Sequence, residues 1–193
     1  MKSKILIILG TIITLISIIF ITKDKIIEYK AGINSQIIIN NINNNNNVIK
    51  KNNEKMDTIT IEGNNYIGTI IIPTININLP VQDTWNNTKL QTSPCLYYGS
   101  IHTNNMIICG HSYKKHFKDL DKLTKGDYII FKDVSNNQHI YEVKEIQILE
   151  PTNIEEMLNT NFELTLYTCT KDGLKRITIR CKKIWQLHLF FIQ

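Results

Sequence analysis

The stretch FELTLYTCT (residues 162–170) alternates apolar and polar side chains as a half-buried strand does, and it ends on a cysteine, Cys169, flanked by Thr168 and Thr170. Two accounts of that cysteine compete. Cysteine is a small, mostly buried residue that many strands carry for packing. A strand end is also a rigid mount for a nucleophile. The neighbouring sequence decides between them.

Working outward, KRITIRCKKI (175–184) follows after TKDG, a turn signal, so the two runs read as a hairpin. Upstream, GDYIIFKD (126–133) and HIYEVKEIQIL (139–149) flank VSNNQ and read as a second hairpin. IGTIII (67–72) stops at Pro73, and ININLPVQ (75–82) follows at once. NMIICGH (105–111) is a nearly continuous apolar run, suited to a strand buried on both faces. HFKDLDKL (116–123) has Phe117, Leu120 and Leu123 at helical spacing. About seven or eight short strands and one or two short helices in so little chain predict a mainly β closed barrel or sandwich.

The barrel is expected to occupy residues 58–193 of a 193-residue chain. Residues 1–25 read differently: Lys2 and Lys4, an apolar run from Ile5 to Ile21, then Lys23 and Lys25. That run is near the short end of what crosses a hydrocarbon core. A cleaved signal peptide would end in a small-residue site, and no A-x-A-like site follows Phe20, so a retained N-terminal transmembrane helix is expected. Lysines at both ends give no orientation. Residues 26–57 are Asn-rich and polar apart from Ile37–Ile39, and read as a tether. The net charge of +5 is spread along the chain without arginine clusters or interleaved aromatics, which argues against nucleic acid as a partner.

Three polar residues end apolar runs. Cys169 ends LTLYTC, His111 follows MIICG, and Arg176 begins RITIR. If the last two strands pair, Cys169 and Arg176 lie together at one end of the sheet. A thiol nucleophile needs a base, commonly histidine, and a donor for the oxyanion, which a guanidinium supplies with a permanent charge. Arg180 is the rival arginine. It shares a strand face with Arg176, about 13 Å further on. The remaining cysteines, Cys95, Cys109 and Cys181, form no C-x-x-C pair and show no disulfide framework. A zinc site from Cys109, Cys169, Cys181 and His111 is conceivable, but Cys109 in MIIC reads more simply as packing, so no metal is expected. His102, His116, His139 and His188 are expected on the surface or in loops.

LTLYTCT resembles the TLxTC signature of the sortases, the Gram-positive cell-surface transpeptidases. The similarity continues in IGTIIIPTININLPV, in NNMIICGHSY around the histidine, in HFKDLDKLTKGDYIIF, and in RITIRC, which begins with the arginine. The resemblance implies an eight-stranded sortase barrel with Cys169 as nucleophile, His111 as general acid/base, Arg176 as oxyanion and substrate ligand, and Thr168 helping to form the substrate site. It implies cleavage of an LPxTG-like sorting signal on surface proteins through a thioacyl enzyme. It further implies transfer to the amine of a peptidoglycan precursor, by a single-pass membrane protein whose catalytic domain is extracellular. It implies no cofactor, and no acidic cluster reads as a calcium cage. Pro151 to Asn161 leaves no room for the long helix of class B members. Trp85 resembles the aromatic of the pilus-type lid but follows the second strand, whereas that lid precedes the barrel. An A- or D-like member is therefore expected. The alternative is a sortase-like surface domain that only binds or only hydrolyses.

Overall fold

A computed structural model of the chain describes residues 2–44, 47–52, 54–159 and 161–184. The expectations for the apolar tail beyond Ile184 and for His188 fall outside the described residues.

The described residues form nine strands: β1 Ile59–Ile61, β2 Asn64–Ile72, β3 Ile77–Gln82, β4 Cys95–Tyr98, β5 Met106–Cys109, β6 Tyr128–Asp133, β7 Gln138–Leu149, β8 Leu164–Cys169 and β9 Arg176–Ile184. Around the sheet the order is β2–β3–β4–β5–β8–β9–β7–β6, and β6 pairs back onto β2. Eight strands therefore close the expected barrel, and β1 adds a short hairpin to the free start of β2. The alternation read in residues 162–170 sets the inside and outside of this wall. Leu164 and Leu166 point into the main core with Ile70, Met106, Ile108, Phe131 and Ile179. Tyr167 packs outside with Ile107, Leu149 and Met157.

The two hairpins read from the sequence form. The β6–β7 turn is clamped by Asp133, whose carboxylate accepts from the backbone N–H of Ser135 and Asn137, each at 2.9 Å. The same carboxylate draws His139 in at 3.3 Å, so this histidine is half-buried and not on the surface as expected. His116 also departs from expectation and is fully buried. The segment around it forms a 3-10 turn, Lys118–Lys122, and not a regular α-helix. The reason is legible afterwards: Phe117, Leu120 and Leu123 recur every third residue, which is the 3-10 period, and all three drop into the barrel core.

Two short helices, α2 Asn87–Leu90 and α3 Ile154–Leu158, lie between strands. A third, α1, runs unbroken from Lys2 to Asn44, through the position where the sequence suggests a change from anchor to tether. Its stretch Lys4–Lys23 is long and apolar enough to cross a membrane, and none of it is buried against the protein. The polar residues interrupting this stretch bond within the helix: Thr11 Oγ1 donates to Ile8 O at 2.8 Å, Thr14 to Thr11 O at 2.8 Å and Ser17 to Ile13 O at 2.9 Å. An apolar solvent demands such internal satisfaction. Further along, Ile38 and Ile42 pack against Ile59, Ile61, Tyr66 and Val134. Their i, i+4 spacing makes one apolar stripe in an Asn-rich segment. Replacing Ile42, 4% exposed, by alanine is expected to destabilise the domain by about 2 kcal/mol. Chemical denaturation of the full chain in detergent checks this; no change would mean that the stripe contributes nothing to stability.

Candidate active site

The outer end of the β8–β9 hairpin brings Cys169 and Arg176 together. They are the terminal pair of the antiparallel ladder. The intervening turn is short and internally bonded: Leu174 N donates to Asp172 Oδ1 and Lys175 N to Thr170 Oγ1, each at 3.0 Å, with Gly173 at φ +75°. A turn so constrained leaves Arg176 little freedom to leave Cys169. Its Nη1 lies 3.3 Å from the half-buried Cys169 Sγ, within donor reach of the sulfur.

His111 reaches the same rim from the other side of β8. Strand β5 runs parallel to β8 with Cys109 opposite Tyr167, and Gly110 N extends the ladder by donating to Tyr167 O at 3.0 Å. The next residue, His111, therefore leaves the sheet near the level of Cys169. Its ring stacks on Tyr113, with centroids 4.0 Å apart and planes 5° from parallel. Its carbonyl accepts from Phe117 N at 3.1 Å, which ties the loop back to the core. Burial lowers the His111 pKa from its ordinary 6.5, so the imidazole is neutral at pH 7. Following its ring protons by NMR, assigned with His111→Gln, should give a midpoint below 6.5; a midpoint at or above 6.5 would contradict this burial. The unfolded chain takes up that proton first, so the stability due to this group is lost as pH falls from 6.5 toward the lower folded midpoint.

Thr168 lies beside Cys169 but is 1% exposed, and its hydroxyl donates to Gly110 O at 2.9 Å. The side chain thus holds the peptide that precedes His111, while the residue still lines the adjoining cleft. Arg180 does not share the site. It is fully buried, and its donors serve Gln147, Thr165 and two backbone carbonyls. Cys109 and Cys181 are separated by the sheet: Cys181 packs in the barrel core and Cys109 faces the cleft, so the set imagined for zinc does not converge. Burial pushes the Cys109 thiol up to about 11, and it pushes the Cys95 and Cys181 thiols up further; all three are free and protonated at pH 7.

From Cys169 and Arg176 an open cleft of about 400 Å³ runs across the outer face of the barrel. Its floor is Tyr97 and Tyr167, packed edge to face with ring centroids 5.5 Å apart. One wall is α3 with Ile154 and Met157; the other is the β3–β4 connection with Trp85 and Leu90. Trp85 is 47% exposed and tilts against Tyr97 at 5.8 Å. Sequence reading did not bring these residues to the site. Tyr167 was findable, since it lies two residues before Cys169 on the same strand face. The walls come from connections whose paths no local pattern reveals.

A family model described as Sortase domain matches residues 70–184. Among solved structures, sortase C1 from Streptococcus agalactiae is similar at 28% identity and a TM-score of 0.58, over 66% of this chain and 72% of that one. Sortase A from Corynebacterium diphtheriae matches at 24% identity and a TM-score of 0.58, over 63% of this chain and 62% of that one. Sortase C from Clostridium perfringens, solved with the C-terminal cell wall sorting motif, matches at 26% identity and a TM-score of 0.56, over 62% and 71% respectively. No curated protein matches the sequence. The family match covers more than half of the chain and runs from within β2 to the end of β9, taking in the strands that carry Cys169, Arg176 and the His111 rim; the chain belongs to the sortase family.

Proposed function

We propose that this protein is a membrane-anchored cysteine transpeptidase that cuts an LPxTG-like sorting signal and joins the upstream fragment to a cell-wall amine. The observation that carries the reading is Arg176 Nη1 at 3.3 Å from Cys169 Sγ, both residues lining a cleft of about 400 Å³. In this reading the sulfur passes its proton to the neutral His111 imidazole and attacks the carbonyl carbon of the Thr–Gly bond. Charge develops on the carbonyl oxygen, where the Arg176 fork can follow it. The C–N bond breaks, the leaving amine takes a proton from His111, and a thioester remains on Cys169. An incoming amine then attacks the thioester carbon. It loses its proton to His111, the C–S bond breaks, and His111 returns that proton to the sulfur to restore the thiol. The thioester conserves the energy of the peptide bond, so no nucleotide is consumed. Thr168 contributes through the groove it lines and through its hold on Gly110.

The apolar stretch Lys4–Lys23 serves as a single-pass anchor, with the barrel outside the cell. The partners are surface proteins bearing a C-terminal sorting signal and a peptidoglycan precursor. An A- or D-like subclass fits the five-residue α3, where a class B helix would be long, and the position of Trp85 after β3.

Intact-protein mass spectrometry tests the reading. The full chain in detergent micelles is incubated with a panel of Leu-Pro-x-Thr-Gly peptides, with and without a glycine-based amine. A thioacyl adduct on Cys169 that is consumed by the amine is the expected result. An adduct consumed only by water would leave a hydrolase. No adduct, with Cys169 also inert to a vinyl sulfone, would leave a binding domain.

A further inference from the structure

Arg180 is 1% exposed, among the largest fully buried side chains of the protein. A guanidinium removed from water needs acceptors for its donors, and this one has them. Nε donates to Gln147 Oε1 at 3.0 Å. Nη1 donates to Met157 O at 3.0 Å and to Thr165 Oγ1 at 3.1 Å. Nη2 donates to Glu156 O at 2.7 Å. Gln147 in turn donates to Glu145 Oε1 at 2.9 Å, so the negative charge of Glu145 reaches the guanidinium through an amide. Burial lowers the Arg180 pKa, and Glu156 and Glu145 work against that shift.

Two of the four acceptors are carbonyls at the C-terminal end of α3. A helix of five residues is far too short to persist by itself. Its last carbonyls have no partner within the helix, and a cation there is favourable. Arg180 supplies both the donors and the charge. On its under side α3 rests Met157 against Ile107 and Leu149. Together with Ile154, Met157 also lines the cleft that Trp85 and Leu90 border.

We propose that Arg180 is a positioning residue for substrate selection: by fastening the C-terminal end of α3 to the barrel, it fixes the wall that grips the peptide away from the bond cut at Cys169. The proposal rests on the reading of the cleft as the sorting-signal groove. Lysine cannot replace the fork, because a single ammonium cannot serve acceptors spread over β7, β8 and α3 in one plane.

The test uses the full chain in detergent with Arg180→Met, Arg180→Lys and the milder Gln147→Leu, which removes one of the four bonds. Four quantities are read: Cys169 alkylation by iodoacetamide, KM and kcat for a quenched fluorescent Leu-Pro-x-Thr-Gly peptide, and amide exchange over residues 153–159. Arg180→Met should raise KM about tenfold or more while kcat stays within about threefold. Alkylation should stay within about twofold, since the small reagent does not use the groove. Exchange in α3 should accelerate about tenfold or more. Arg180→Lys should lie between Arg180→Met and wild type, and Gln147→Leu should show the smallest change in the same direction. A fall of kcat and alkylation together at constant KM would place Arg180 at the chemistry and overturn the proposal. Unchanged exchange in α3 would overturn it as well, whatever the kinetics. If Arg180→Met does not fold, the two milder variants decide on the same readings. If the wild type turns over no peptide, the functional reading fails and the selection role falls with it, whereas faster exchange in α3 would still show that Arg180 holds the helix.

Discussion

Replacing Arg176 by lysine should lower turnover of a sorting peptide by about 10²–10³-fold while changing KM little. In the proposed reaction, attack by the Cys169 sulfur shifts negative charge onto the substrate's carbonyl oxygen, one bond beyond the carbon being attacked. A planar fork whose Nη1 already stands 3.3 Å from the sulfur can present further N–H groups to that oxygen without moving its backbone. An ammonium on a flexible stem offers a point charge and must reorganise during the step. The bonded turn from Thr170 to Lys175 holds position 176 in place, so neighbouring backbone cannot shift to compensate. Quenched-flow acylation read by mass spectrometry measures the effect, with Cys169→Ala as the baseline that forms no adduct. A loss smaller than about fivefold would remove Arg176 from oxyanion stabilisation.

Gly110→Ala should be a severely damaging substitution beside the candidate site. A Cβ at this position would lie 2.4 Å from Cδ2 and 2.6 Å from Cγ of Phe117. Phe117 is completely buried in the barrel core and has no space into which to withdraw. Gly110 cannot yield either. Its N–H is bonded to Tyr167 O at 3.0 Å and its carbonyl to Thr168 Oγ1 at 2.9 Å. Relief must come from displacing the ring, the strand end or His111 itself. Overpacking of this kind costs about 3 kcal/mol, near the upper end of the usual range. That should lower the melting midpoint by about 10 °C. Any shift of His111 by about 1 Å would add a loss of about 10²-fold in turnover. Calorimetry and peptide turnover on the same preparation check both parts. A variant that melts with the wild type and keeps full turnover would show that Phe117 can repack, and would sink the prediction.

Alternation and turn chemistry made the two long hairpins legible, because β6, β7, β8 and β9 each show one face to the core and one to the outside. The pairing of Cys169 with Arg176 followed directly from the second hairpin. The strands β1 and β4, with the three residues ITI and the four residues CLYY, are too short to show a period. They exist because β2 and β5 offer them unpaired edges. The place of His111 beside β8 rests on a parallel pairing across more than fifty residues of chain, and no local signal encodes it. His116 is buried because the 3-10 turn carries it inward with Phe117. The Asn-rich run reads as a tether by composition, since asparagine is a poor helix former. The structure continues α1 through it to Asn44, where Ile38 and Ile42 meet the β1–β2 hairpin.

That docking has a geometric consequence. Gly32 of α1 lies against the Lys115 side chain in the loop just after His111, where a Cβ would meet Lys115 Cγ at 3.2 Å. From Lys23, the end of the apolar stretch, to Gly32 is nine residues, or about 14 Å along a helix axis. The headgroup layer of a bilayer is only about 5–8 Å deep on each side. For a chain anchored through Lys4–Lys23, the helix therefore acts as a ruler: it holds the histidine loop just above the lipid headgroups. A substrate still threaded in the same membrane would then be cut only where its scissile bond emerges at that height, so spacing from the bilayer would discriminate between substrates alongside the sequence of the motif.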